Sequence, residues 1–90
     1  MILDNIYNHY EKLVFNEVLA FKTKQNSTFD ESMLEDVACV ALNILPARYV
    51  RHSVDIAFYL TTPERDQMDQ LVKDAVEEAF GRVAKHPHES

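Results

Sequence analysis

The stretch MLEDVACVALNILPARYVR, residues 33–51, decides the fold of this chain. Its apolar residues occupy nearly every side of a helix after Asp36, and the pattern predicts a helix over about residues 31–45. Pro46 ends this helix, because proline disfavours helical geometry in the residue before it. A helix that is apolar all round has to be surrounded by protein, so we expect it at the centre of the fold.

The length of the chain limits the cover that this second helix can receive. Ninety residues make one small domain, and a chain of that size buries only about two thirds of its unfolded surface. We therefore predict a homodimer around the second helix. Cover by two neighbouring helices and the segment after the turn is the monomeric alternative. The residues expected in the dimer core are Val37, Val40, Ala41 and Ile44.

Two side chains of the second helix need separate interpretation. Asn43 either forms a hydrogen bond across the dimer interface and fixes its register, or caps a neighbouring backbone group. Cys39 lies among apolar residues and is expected to pack in the core as a small, unreactive hydrophobe. As the single cysteine of the chain, it cannot form an internal disulfide, which fits a reducing compartment.

The first helix is predicted over about residues 5–22, with Asp4 or Asn5 as its N-cap. Its apolar stripe has three- and four-residue spacing and consists of Ile6, Tyr10, Leu13, Val14, Val18 and Phe21. Residues 23–32 are polar and lack periodicity, which indicates a surface loop. Asp30 or Ser32 is then expected to cap the second helix.

The segment that follows the turn, YVRHSVDIAFYL at residues 49–60, has two interpretations. Its β-branched and aromatic residues alternate weakly with others, which favours an extended segment or a short strand. Such a strand would have to pair with its symmetry mate in a dimer. The alternative is a short helix over residues 54–59.

The third helix has the clearest start, with Thr62 as N-cap and Pro63 at the first helical position. It is expected to end at Gly81 or to continue to Lys85. Its apolar stripe is Met68, Leu71, Val72, Ala75, Val76, Ala79, Phe80 and Val83. The fold class is therefore all-α, with three main helices and a short extended segment between the second and third. Residues 1–85 form a single domain, and residues 86–90 a flexible tail.

The charge is distributed unevenly along the chain. The net charge of −6 argues against binding to a nucleic acid polymer. No Asp or Glu lies between Val37 and Val54, whereas Arg48, Arg51 and His52 do. This locally positive turn suits a small anion. We expect a cytoplasmic protein without membrane contact, because the amino terminus lacks a signal-peptide pattern and no apolar run could span a bilayer.

Several kinds of chemistry lack the residues that they require. The histidines are His9, His52, His86 and His88, and their spacing offers no zinc site. The chain's one glycine cannot build a phosphate-binding loop. Paired acids such as Glu77 and Glu78 are most simply solvated. We predict no metal, no cofactor and no enzymatic activity.

The candidate ligand-binding residues are Arg48, Tyr49, Arg51 and His52. Arginine side chains grip phosphate groups with two parallel hydrogen bonds, and a tyrosine ring provides a face for stacking a base. In a dimer the turn is present twice, which suits a two-fold symmetric anion. Alternatively, the two arginines complement the carboxyl end of the second helix or pair with acids of the third.

Two motifs in the chain resemble those of a bacterial family, the late competence development protein ComFB family. They are Tyr7-Asn8-x-Tyr10-Glu11-x-x-Val14 and Asp36-Val37-Ala38-x-Val40-Ala41-Leu42-Asn43-x-Leu45-Pro46-x-Arg48-Tyr49. The resemblance extends over about residues 6–80.

The resemblance implies a small helical protein that dimerises and has no catalytic role. Some relatives look like receptors for cyclic dinucleotides such as cyclic di-GMP or cyclic di-AMP. Gram-positive members carry a zinc-binding cysteine cluster before the second helix, but residues 23–36 here contain no cysteine. We expect a signalling module that senses a cyclic dinucleotide, or alternatively a ligand-free adaptor that recruits a protein partner through its dimer surface.

Overall fold

The structure is a computed structural model that describes residues 4–51 and 60–85. Its elements are β1 (Tyr7–Asn8), α1 (Tyr10–Lys24), α2 (Glu31–Ile44), β2 (Tyr49–Val50) and α3 (Thr62–Lys85). The mostly helical class is confirmed, and a two-stranded antiparallel sheet is added to it. The predicted tail and the alternative helix over residues 54–59 lie outside the described residues.

Three phenylalanines show how the helices are arranged. The ring of Phe80 lies 4.7 Å from that of Phe21 and 5.2 Å from that of Phe29. The carboxyl-terminal parts of α1 and α3 are therefore side by side, and α2 begins beside them. It then runs back towards the amino-terminal end of α1, where the two strands pair.

The core lies between the three helices. Val14, Val37 and Val76, one from each helix, are completely enclosed. The buried apolar residues are Tyr10, Val14, Val18, Val37, Ala41, Leu45, Met68, Val72, Ala75, Val76, Ala79, Phe80 and Val83. Most of the apolar stripe predicted for the third helix is among them, whereas Leu71 is 39% exposed.

The second helix receives more cover from its own chain than we expected. Val37 and Ala41, both expected in a dimer core, are already fully buried within one chain. Val40 is half-buried, and Ile44 is 37% exposed. A second chain is therefore needed to cover the outer side of α2 and not the side that faces the core. The dimer itself stays a prediction.

Cys39 is exposed, so its predicted packing in the core is wrong. Residues of a helix follow one another by about 100°, which places Cys39 about 200° from Val37 and on the outer side. Asn43, one turn further on, is exposed as well. The outer side of α2 is thus more polar than we expect for a helix that is surrounded by protein.

The start of the first helix differs from its prediction. It begins at Tyr10, five residues later than expected, and neither Asp4 nor Asn5 caps it. Tyr7 and Asn8 are extended because they pair with β2. Ile6, counted in the apolar stripe, is 51% exposed. Pairing with a distant strand here overrides the local helical periodicity.

The end of α1 is closed by a left-handed residue. Asn26 has a φ of 50°, a conformation that asparagine tolerates better than most residues. The Ser27 N–H donates to the Lys22 carbonyl at 3.0 Å, and the Asn26 N–H donates to the Thr23 carbonyl at 3.2 Å. These are the two hydrogen bonds of a Schellman motif, which satisfies carbonyls at the end of a helix.

Side chains cap the other two helices at their first turns. The Asp30 carboxylate accepts a hydrogen bond from the Met33 N–H at 2.9 Å, which confirms one of the two predicted caps of α2. At α3 the Thr61 hydroxyl accepts from the Glu64 N–H at 3.3 Å. The predicted cap, Thr62, is therefore one residue late, and α3 continues past Gly81 to Lys85.

Candidate functional site

The proline-containing turn after α2 is attached to the start of α1 by the two strands, which we call the ribbon. Tyr7 pairs with Val50, and Asn8 pairs with Tyr49, in antiparallel register. The expectation that this segment pairs with its symmetry mate is therefore wrong for residues 49 and 50. The segment before α1 supplies the strand within the same chain.

The Asn8 side chain holds the two ends of the ribbon together. Its Oδ1 accepts one hydrogen bond from the Tyr10 N–H at 3.2 Å, at the first residue of α1. It accepts another from the Arg48 N–H at 3.0 Å, 40 residues away. One amide oxygen thus accepts from the first N–H of α1 and from the backbone of the arginine turn.

A further hydrogen bond continues the ribbon towards α1. The His9 N–H donates to the Arg48 carbonyl at 2.7 Å, which places these two residues opposite each other. Opposite residues of an antiparallel pair share a face, and consecutive residues alternate between faces. The paired residues Asn8 and Tyr49 therefore share a face. His9 has a helical backbone conformation, with φ of −57° and ψ of −28°, so it is next to Arg48 through this hydrogen bond and not through strand alternation.

The polar side chains of the turn are accessible. Tyr49 is 68% exposed, the largest exposed fraction among the large hydrophobic residues that the structure describes. Arg48 and Arg51 are exposed. Within the described part of the chain, neither guanidinium lies at ion-pair distance from a carboxylate, including the acids of α3.

Burial and charge alter the acid–base behaviour of two residues beside the turn. The pKa of His9 is lowered from 6.5, first by burial and then by the positive charge of Arg48. Burial raises the pKa of Tyr10, and Arg48 opposes this by a smaller amount. Both effects show that Arg48 lies within electrostatic reach of the start of α1.

The structure brings together part of the predicted ligand set and adds residues to it. Arg48, Tyr49 and Arg51 lie at or beside β2, and His52 lies outside the described residues. The sequence analysis did not include Asn8 or His9. Asn8 belongs to the first family motif, whereas His9 falls at a position that this motif leaves unspecified. The ribbon brings this motif next to the second one.

Other functional features can be judged for the described residues. Within residues 4–51 and 60–85, no three side chains of the types that ligate metals are grouped as a metal ion would require. None of the helices in these ranges has the length and apolar content that crossing a membrane demands.

The fold and the site define a small helical protein whose basic turn is fixed by a two-stranded ribbon. A family model described as late competence development protein ComFB matches residues 7–87. The chain belongs to this family, whose description links it to the development of competence. A search among curated proteins found no match.

Proposed function

We propose that the protein is a dimeric, non-enzymatic signalling module that binds a cyclic dinucleotide at the ribbon. The observation that carries this proposal is the accessibility of Arg48, Tyr49 and Arg51 on a backbone fixed by Asn8. Because the turn is held before any ligand arrives, binding does not have to order it first.

The chemistry of these side chains matches the two parts of a nucleotide. The arginines supply forked donors for phosphate oxygens, and the Tyr49 ring supplies a flat face for a base. Tyr49 is the first residue of β2, and Arg48 directly precedes it. A ligand with two phosphates and two bases is large enough to contact both of these neighbouring side chains.

The electrostatics of the whole chain favour a small ligand over a polymer. The net charge is −6, and this repels a long polyanion at every point other than the turn. A separate groove of about 500 Å³ lies beside the loop after α1, with Phe21, Phe80 and Glu77 in its lining. Among the described residues, its lining includes the acid Glu77 and no lysine or arginine, which disfavours an anion, so we place the ligand at the ribbon.

Calorimetry tests this proposal directly. We expect cyclic di-GMP or cyclic di-AMP to bind the wild-type chain and to lose at least about tenfold in affinity with Arg48→Ala/Arg51→Ala, because two charge-assisted contacts disappear. The matched control is Lys24→Ala/Lys85→Ala, which removes the same charge from the last turns of α1 and α3. These turns lie at the other end of the bundle.

The control separates a site from a general charge effect. Equal losses in the two double variants would assign the binding to the overall field of the protein. No heat with either nucleotide, from a wild-type chain with normal helical circular dichroism, would reject the cyclic dinucleotide.

The rival function is a ligand-free adaptor that recruits a protein partner. Phe15 and Leu19 favour it, because they are 48% and 58% exposed and lie one turn apart on the same side of α1. Exposed apolar residues that adjoin one another are typical of docking surfaces. Under this alternative, neither nucleotide binds, and Arg48→Ala/Arg51→Ala has no effect on recruitment.

The dimer is a separate part of the proposal and has its own test. Ile44, at the end of α2, is 37% exposed, and we place it in the interface. Ile44→Asp is expected to halve the mass measured by light scattering while the helical content persists. Leu71→Asp on α3, with a similar exposure of 39%, is the control. A wild-type chain that scatters as a single copy would reject the dimer.

A further inference from the structure

The contact between His9 and Arg48 gives the ribbon a property that the proposed function above does not include. Two residues that can both carry positive charge are held opposite each other by the hydrogen bond from the His9 N–H to the Arg48 carbonyl, at 2.7 Å. Asn8 directly precedes His9, and its side chain accepts a hydrogen bond from the Arg48 N–H. The backbone hydrogen bonds therefore hold together two side chains that repel each other when both are positively charged.

We propose that His9 and Arg48 together form an anion-binding face of the ribbon, at which an anion binds more tightly when His9 is protonated. This inference rests on the proposed binding of an anion at the turn and adds to it a residue and a dependence on pH. The ligand class is a phosphate group or a similar oxyanion.

The surroundings of His9 explain the direction of the effect. His9 lies at the amino-terminal end of α1, where the helix dipole favours an anion and disfavours a protonated histidine. Arg48 faces it from the ribbon. On α1 itself, Tyr10 is uncharged at neutral pH, and Glu11 is the acid of the first turn. Without a ligand, burial and then the charge of Arg48 hold the pKa of His9 below its ordinary value of 6.5.

An anion placed between the two side chains reverses this balance. Its negative charge offsets that of Arg48 and favours the protonated form of His9. Binding then takes up a proton, and by linkage a fall in pH strengthens binding. Each unit by which the anion raises the pKa of His9 corresponds to about a tenfold gain in affinity at low pH.

Nuclear magnetic resonance of the His9 ring tests the pair without relying on a nucleotide. The probe is sodium sulfate, which stays a dianion throughout the titration, compared with sodium chloride at the same ionic strength. We expect sulfate to raise the pKa of His9 in the wild-type chain and to have little effect on it in Arg48→Ala. In chloride, Arg48→Ala should itself raise the pKa of His9.

Calorimetry with the cyclic dinucleotide gives the second measurement. From about pH 8 to about pH 5.5, a range that includes the ordinary histidine pKa of about 6.5, affinity should rise by roughly threefold to tenfold. His9→Gln should lose most of this rise, so its affinities at the two pH values should differ by less than about twofold. Lys24→Ala/Lys85→Ala should keep the rise.

The outcomes distinguish this inference from the function on which it rests. A cyclic dinucleotide that binds equally at both pH values, or with the same rise in His9→Gln, overturns the role of His9 and leaves the proposed function standing. Sulfate that raises the pKa of His9 while neither nucleotide binds supports the anion-binding face and rejects the cyclic dinucleotide. A pKa of His9 that neither sulfate nor Arg48→Ala changes rejects the pair.

Discussion

The two ends of the helical bundle are held by different interactions. At one end the rings of Phe21, Phe29 and Phe80 pack against one another, at centroid distances of 4.7 and 5.2 Å from Phe80. At the other end the ribbon joins α1 to the turn after α2, through hydrogen bonds to the side chain of Asn8.

The difference separates stability from recognition. Packed aromatic rings gain free energy from the area that they bury, and they do not require one orientation of a neighbouring backbone. Hydrogen bonds contribute less to stability but fix atoms at set positions. The polar end of the bundle is therefore the one that can hold Arg48 and Tyr49 ready for a ligand.

Phe80→Ala is expected to have the largest effect. Phe80 is 7% exposed and contacts both other rings, so the change should lower the free energy of unfolding by about 3–5 kcal/mol. Urea denaturation followed by circular dichroism measures this loss. Phe15→Ala is the control, because that ring is 48% exposed, and it should cost less than about 1 kcal/mol. Equal costs would mean that the three rings do not form a core.

Asn8→Ala is expected to have the second largest effect, about 1–2 kcal/mol, because the Tyr10 and Arg48 N–H groups lose their acceptor together. Amide hydrogen exchange should accelerate at Arg48 more than at Val37. Asn8→Asp retains the oxygen that accepts both bonds, so it should keep the stability. Its charge beside the turn should nevertheless weaken anion binding, which separates the structural role of Asn8 from its effect on the ligand.

The same contrast explains what could be predicted from the sequence. The bounds of α2 and most of the buried stripe of α3 follow from local spacing and from a cap a few residues away, as at Asp30. The ribbon depends on pairing between residues about 40 positions apart. The apolar spacing of Ile6 and Tyr10 instead suggested that α1 begins before them.

The candidate site was only partly predictable for the same reason. Arg48, Tyr49 and Arg51 are neighbours in the sequence and were recognised by their chemistry. Nothing in the spacing of His9 indicates that it lies opposite Arg48, because that contact is created by the ribbon. The exposure of Cys39 was missed because composition alone does not say which side of α2 its own chain covers.

Gly81→Ala should raise the free energy of unfolding by about 0.5–1 kcal/mol. Gly81 lies within α3, and a Cβ atom added there meets no other atom within 4 Å. The gain arises because alanine loses less backbone entropy than glycine when a helix forms. Urea denaturation measures it, and binding at the ribbon should be unchanged. A loss of stability would show that the backbone at Gly81 needs the freedom of glycine.

The smallest expected effect is a dependence of stability on pH that comes from His9. Burial and Arg48 lower the pKa of His9 in the folded chain, whereas the unfolded chain keeps the ordinary value of about 6.5. Between these two values the unfolded state binds more protons, so stability is fully present above about pH 6.5 and declines as pH falls through the pKa of the folded state.

This decline can be isolated by comparing wild type with His9→Gln in urea at about pH 7.5 and about pH 5.5, on either side of the unfolded histidine pKa. Carboxylates contribute equally to both proteins, so the difference between the two slopes belongs to His9. We expect the wild type to lose more stability than His9→Gln as pH falls, and Arg48→Ala to reduce that excess. Identical slopes would mean that neither burial nor Arg48 lowers the pKa of His9 in the folded chain. An excess that Arg48→Ala leaves unchanged would mean that the ribbon does not hold His9 close to the charge of Arg48.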